Sequence, residues 1–235
     1  MATSDLKQTY DKMWSKAISA FMQNEFGIDE HLTDKASDMR RSVTLIYRLR
    51  GEVAHKAGEM IASLRKSHPE QYYYHPDELH ITVLSMFTAT PDFLEKYQNL
   101  TWYQHSIQTV LENAESFPIH FHGITASPNA LMLQGFPETD ALNRLRHALR
   151  ASLKKHGVGG DLDKRYAIST AHATFMRFRS QPADREQFIR NISAFREQEF
   201  GWSQVAELEL VKNDWYLSRE KTRLVRKYPL QENRK

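Results

Sequence analysis

The sequence predicts an α+β protein of duplicated, bilobal build, in which two mainly antiparallel sheets line a central cleft and helices lie on the outside. Three observations predict it. Stretches with apolar residues at helical spacing alternate along the chain with short β-branched runs. The order strand, helix, strand bearing His-x-Thr occurs twice, and each copy is followed by a helix and a β hairpin. The two motif histidines, His80 and His172, stand about 90 residues apart, which leaves room for one such unit. A pseudo-twofold relating the copies brings the motif strands together between the lobes, where clefts form. The expected division is 1–41 as an N-terminal helical extension and 42–235 as the duplicated domain.

Each element has its own signal. Residues 5–26 read as an amphipathic helix, with Leu6, Tyr10, Met13, Trp14, Ala17, Ile18, Phe21 and Met22 on one side and Gly27 as its stop. Residues 28–41 are polar and read as loop. Ser42–Leu49 is the first strand. A helix over 52–66 carries Val53, Ala57, Met60, Ile61 and Leu64 on one face and ends at His68-Pro69. Residues 71–77 read as loop and Leu79–Phe87 as a buried strand. A helix over 92–115 precedes a hairpin of strands 117–125 and 130–134, turned by Ser127-Pro128-Asn129. Residues 139–155 are helical, and their arginines read as a solvated face. Gly157-Val158-Gly159-Gly160 lacks the strand-to-helix context of a nucleotide fingerprint. Tyr166–Phe178 contains the second motif strand, 182–197 is a helix, and 203–211, 215–217 and 222–228 are closing strands.

Composition narrows the classes. The chain has 235 residues, 40% hydrophobic and 26% charged, enough for a sizeable core and too apolar for disorder. With no cysteine it has neither disulfides nor thiolate metal sites. No run approaches the roughly 20 apolar residues of a membrane span, and no signal peptide opens the chain. The expectation is a soluble, cytoplasmic monomer without membrane contact. A net charge of +3 suits a phosphate-bearing ligand and falls short of the basic stripe of a duplex-DNA binder.

The motifs carry the chemistry. His80-Ile81-Thr82-Val83 and His172-Ala173-Thr174-Phe175 lie in β-prone runs. Side chains alternate along a strand, so each histidine shares a face with its threonine. With 11 histidines, one or two His-x-Thr/Ser matches are expected by chance. His31-Leu32-Thr33, in a polar loop, is such a match. The specific signal is the conjunction of two strands at equivalent places of a repeat. His120-Phe121-His122 has metal-ligand spacing but no third ligand nearby, and nothing like His-Glu-x-x-His occurs. Neither metal nor cofactor is expected.

With both motifs intact, and with Arg177 closing His-x-Thr-Phe-Met-Arg, the chain resembles the two-histidine (2H) phosphoesterase superfamily over about residues 43–230. The run from Glu207 through Ser218 also looks like that family's closing strands. The resemblance implies a bilobal fold with a central cleft and a metal-independent phosphodiesterase of the cyclic phosphodiesterase or 2′-5′ RNA ligase-like kind. Its substrates would be nucleotides or RNA ends bearing 2′,3′-cyclic phosphates or 2′-5′ linkages. Elementary chemistry agrees. Phosphodiester cleavage without metal needs a base for the nucleophile and an acid for the leaving oxygen, and histidine serves as either near neutral pH. Thr82 and Thr174 can donate to the non-bridging oxygens. The sequence does not say which histidine is the acid. Arg177 is a candidate phosphate ligand, although five residues along an ideal strand turn it away from His172, so it reaches phosphate only if the strand bulges or ends there. Tyr47 is a candidate for stacking a base in the cleft. A catalytically silent nucleotide- or RNA-binding protein of the same fold, and a reversible 2′-5′ RNA ligase, are the alternatives.

Overall fold

A computed structural model describes residues 3–164 and 167–232. Its elements in order are α1 (Thr3–Met22), β1 (Arg41–Arg48), α2 (Gly51–Ser67), β2 (Tyr72–Tyr73), β3 (His80–Ser85), α3 (Leu94–Tyr97), α4 (Leu100–Leu111), β4 (Phe117–Ser127) and β5 (Ala130–Pro137). There follow α5 (Ala141–Lys155), β6 (Ala173–Arg177), α6 (Arg185–Ser193), β7 (Glu199–Val205), β8 (Glu207–Asp214) and β9 (Arg223–Pro229). The strands build two antiparallel sheets of order β3-β1-β8-β9 and β2-β6-β5-β4-β7. The sheets correspond strand for strand: β3 with β6, β1 with β5, β8 with β4 and β9 with β7. Both motif-bearing strands therefore lie at or next to a sheet edge, and β3 packs against β6 where the sheets meet. The fold class is α+β, as the alternation of patterns predicts.

One large apolar core runs through both sheets and under the helices. Val43, Leu45, Val53, Ala57, Leu149, Leu153 and Phe188 are fully buried within it. The expected stripe of α2 is the buried one. α1 lays its own stripe, with Leu6, Tyr10, Ala17 and Phe21 buried, onto β4, β5 and α6.

Where the structure departs from the sequence pattern, backbone hydrogen bonding gives the reason. α1 ends at Met22 rather than near residue 26. Gln23 and Glu25 both donate to Ala20 O, and Asn24 takes the left-handed conformation (φ 62°) that asparagine tolerates. The expected helix 92–115 is two helices, because Gln98 and Asn99 close tighter three-residue turns onto Glu95 and Lys96 and break the α ladder. The expected strand 203–211 is two strands parted at Ala206, where the chain passes from one sheet to the other. Trp215–Leu217 is a turn, not a strand. Asp214 accepts from Ser218 N (2.9 Å) and Ser218 Oγ (2.8 Å), and Leu217 is left-handed at φ 53°. Tyr72 and Tyr73, expected in a loop, pair with Arg177 and Met176 of β6. Of the run Tyr166–Phe178 expected to contain the second motif strand, Tyr166 lies outside the described residues and Ala173–Arg177 is the strand. His120 hydrogen-bonds Glu199 (2.8 Å) and stacks on Trp202 (centroids 4.7 Å apart), an exposed arrangement.

Candidate active site

The sequence places the two His-x-Thr motifs at the seam between the sheets, and one cleft collects them. His80, Thr82, His172, Thr174 and Arg177 all line it. His80 opens β3, and its directly opposed partner on β1 is Arg48. His172 immediately precedes β6.

Each motif strand carries one extra residue at the same place. On β3, Leu84 opposes Leu45 and Thr82 opposes Ile46, which leaves Val83 without a partner. On β6, Met176 opposes Leu131 and Thr174 opposes Met132, which leaves Phe175 without one. Such a bulge reverses the inside–outside alternation beyond it. The burial pattern shows the slip: Thr82 and Ser85 are half-buried with two buried residues between them, and so are Thr174 and Arg177. The bulge at Phe175 is the condition under which Arg177 reaches the cleft. The equivalent position after the first motif is Ser85, which also lines the cleft. The two halves thus match in imidazole and hydroxyl but differ in charge, cationic beside β6 and neutral beside β3.

Arg177 donates from Nε to the Tyr74 hydroxyl (2.9 Å) and has no ion pair among the described residues. Tyr74 is itself held by its N–H to the carbonyl of bulged Phe175 (3.0 Å). Neither threonine hydroxyl has a hydrogen-bond partner among the described residues. Two donors and a guanidinium therefore face the same space with capacity to spare.

The imidazoles differ in what holds them. His80 Nδ1 lies 2.7 Å from Glu78 O. A carbonyl only accepts, so Nδ1 carries the hydrogen and Nε2 is left basic. His172 Nδ1 lies 2.6 Å from the Thr170 hydroxyl, which can accept or donate. Burial pushes His80 down to about 4, opposed by the Glu78 carbonyl and helped by Arg48 and Arg177. Burial also brings His172 to about 4, with Arg146, His80 and Arg177 adding to the effect. Both rings titrate well below histidine's ordinary value near 6.5 and are neutral at pH 7.

Arg146 stands behind both motifs. It is 1% exposed, and it donates from Nε to Val83 O (3.0 Å) and from Nη2 to Thr82 O (2.8 Å) and Thr170 O (2.9 Å). These are carbonyls at the free edges of the two motif segments. One guanidinium thus pins together the backbones that carry Thr82 and His172. Burial lowers Arg146 to about 10, which leaves it charged at neutral pH.

Tyr47 lies elsewhere. Its hydroxyl is 2.6 Å from Ser203 Oγ and 3.0 Å from Gln204 O, in the contact between β1 and the segment around β7. It does not line the cleft and cannot stack a base there. On β1 the cleft-facing residues are Ser42 and Thr44, of the opposite parity to Tyr47. Sequence reasoning missed Tyr74, Ser85, Trp215, Tyr216 and the loop carboxylates Asp161 and Asp163, which complete the walls. Superposing the motifs as His-x-Thr-x-x-Arg and His-x-Thr-x-x-Ser would have found Ser85. The others come from turns and carry no local signal. The two carboxylates are neutralised, Asp163 by Arg150 (2.6 Å) and Asp161 by Lys96 and Lys164. Among the described residues no three histidine, aspartate or glutamate side chains are grouped to hold a metal ion. No described helix is long and apolar enough to cross a membrane.

The chain matches the model of the 2′-5′ RNA ligase superfamily over residues 53–214. Among solved structures it is similar to TT0787 of Thermus thermophilus, at 18% identity over 82% of this chain and 99% of that one, with a TM-score of 0.60. It is also similar to E. coli LigT complexed with 3′-AMP, at 16% identity over 81% of this chain and 98% of that one, with a TM-score of 0.55. At these identities the likeness is one of fold. No curated protein matches the chain.

Proposed function

The chain belongs to the 2′-5′ RNA ligase superfamily, and from that premise we propose that it is a metal-independent phosphodiesterase acting on nucleotides or RNA ends that carry 2′,3′-cyclic phosphates or 2′-5′ linkages. The observation that carries the reading is the convergence on one cleft of two imidazoles, two threonine hydroxyls without a hydrogen-bond partner among the described residues, and Arg177, which has no ion pair among them. That LigT, similar in fold, has been crystallised with 3′-AMP and with ATP fits a nucleotide-sized ligand. The absence of cysteine fits a cytoplasmic setting, and we take the working unit to be a monomer.

The proton roles follow from the partners of Nδ1. An anionic phosphodiester beside Arg177 raises the proton affinity of both rings. The proton it draws in settles on His80, whose Nδ1–H already points at a carbonyl, rather than on His172, whose Nδ1 meets a hydroxyl; an arginine, Arg48 or Arg146, opposes protonation of each ring alike. We therefore assign His80 as general acid and His172 as general base. His172 Nε2 takes a proton from water as the water oxygen bonds to phosphorus. The bond from phosphorus to the departing ribose oxygen breaks, and His80 gives its proton to that oxygen. Thr82 and Thr174 donate to the non-bridging oxygens, where charge builds. The side chain of Arg177 holds the phosphate on the β6 side, where Ser85 offers no competing charge.

The test is turnover with chelator present, on 2′,3′-cyclic nucleotides and on a 2′-5′ dinucleotide beside its 3′-5′ isomer. His80→Ala and His172→Ala should each lose activity that chelator leaves intact. A nucleotide aryl ester, whose leaving group needs no proton, should restore His80→Ala far more than His172→Ala. Activity that survives both substitutions would sink the proposal, and the reverse pattern of aryl-ester rescue would exchange the two roles.

A further inference from the structure

The family match begins at residue 53, and α1 lies ahead of it. A helix there has the reading of an appendage packed on a finished domain. Its contacts say otherwise. Leu133 of β5 opposes Ala173 of β6, the last pair of that ladder, and the same register carried two residues further sets Gly135 opposite Ala171, ahead of the strand. The Tyr10 hydroxyl is inserted into this pair. It accepts from Ala171 N (3.0 Å) and donates to Gly135 O (3.1 Å). The backbones are close: a Cβ on residue 135 would fall 2.2 Å from Ala171 O, so only glycine fits. Tyr10 is fully buried, its ring packs edge-on to Phe136 (centroids 5.4 Å apart), and its own carbonyl accepts from Thr125 Oγ1 (2.9 Å).

The residue after Ala171 is His172. The Thr170–Ala171 peptide just ahead of it is thus held at its N–H by Tyr10, through Ala171 N, and at its carbonyl by Arg146, through Thr170 O, while Thr170 Oγ1 meets the His172 ring. We propose that Tyr10 is a positioning residue for His172, so that α1 is part of the catalytic apparatus; the proposal rests on the reading of His172 as a working imidazole. Two features separate this from ordinary packing. The phenol satisfies one donor and one acceptor that the β5–β6 ladder leaves open, at the residue directly before the His172 ring. It also has no counterpart at the first motif: the chain before His80 is held by its own capping turn, in which Glu78 accepts from His75 N (2.8 Å).

The test reads the ring itself by histidine side-chain NMR, which needs no substrate, so failure of the proposed activity would leave it intact. The charged groups facing His172 are Arg146 from α5, His80 from β3 and Arg177 from β6, with Asp161 and Asp163 across the cleft. Tyr10→Phe keeps the ring in the core and removes the hydroxyl. It should raise the His172 titration by about one unit or more, as the loosened segment admits water, and leave that of His80 in place. Ala17→Gly, on the same buried face of α1 and away from the motifs, should lower Tm and move neither. If Tyr10→Phe does not fold, Thr125→Val, which frees the Tyr10 backbone, should give the same selective change in smaller measure. Equal movement of both histidines, or of neither, would overturn the proposal, as would a His172 shift in Ala17→Gly as large as that in Tyr10→Phe.

Discussion

Two neutral imidazoles, His80 buried and His172 half-buried, make this protein acid-sensitive in a defined way. Each has a folded pKa of about 4 and an unfolded value near 6.5. Between pH 7 and pH 5 the unfolded chain takes up protons at these positions and the folded chain does not. The unfolded state then binds more protons, so stability falls as pH falls. Integrating the linkage gives about 2 kcal/mol for each histidine, and roughly 3 to 4 kcal/mol for the pair because part of the depression is their mutual repulsion. That is a large share of the stability of an ordinary domain. The perturbation is His80→Gln combined with His172→Gln, and the assay is urea unfolding at pH 7 and pH 5. The parent should lose several kcal/mol between the two pH values, and the double variant should lose less by about 3 kcal/mol, with m unchanged. His68, which burial also pushes down, is present in both proteins and cancels. Equal losses in parent and double variant would refute the claim that the cleft desolvates these rings.

Three further outcomes are expected. Because both rings titrate well below pH 6 without an anion beside them, inorganic phosphate binding near pH 6 should take up about one proton, read by calorimetry in buffers of different ionisation enthalpy. Arg177→Lys loses the planar fork and the Tyr74 contact together, so phosphate affinity should fall about tenfold, checked by titration. Tyr47→Phe removes hydrogen bonds to Ser203 and Gln204 and should cost about 1 to 2 kcal/mol in denaturant unfolding while KM stays unchanged.

The sequence by itself determined the α+β class, the twofold recurrence of strand, helix and motif strand, and the pairing of each histidine with its threonine. Those features rest on local periodicity and on the strict alternation of strands, which a linear reading sees. The buried stripes of α1 and α2 were legible for the same reason. Tertiary structure decided the rest. Whether Arg177 faces the cleft depends on the bulge at Phe175, which exists only in the pairing of β6 with β5. Tyr47 obeys strand parity and so leaves the cleft to Ser42 and Thr44. Trp215 and Tyr216 reach the site because Asp214 turns the chain, a hydrogen bond that no hydrophobic pattern encodes. Arg146 looked like one arginine among several on a solvated helix face. It is buried because the carbonyls of β3 and of the segment leading into β6 need a donor there, and Tyr10, 161 residues before Ala171, fills the corresponding gap on the β5 side. Unsatisfied backbone groups at a sheet edge come into being only when the sheets form, and the side chains that answer them cannot be read from their own surroundings in the chain.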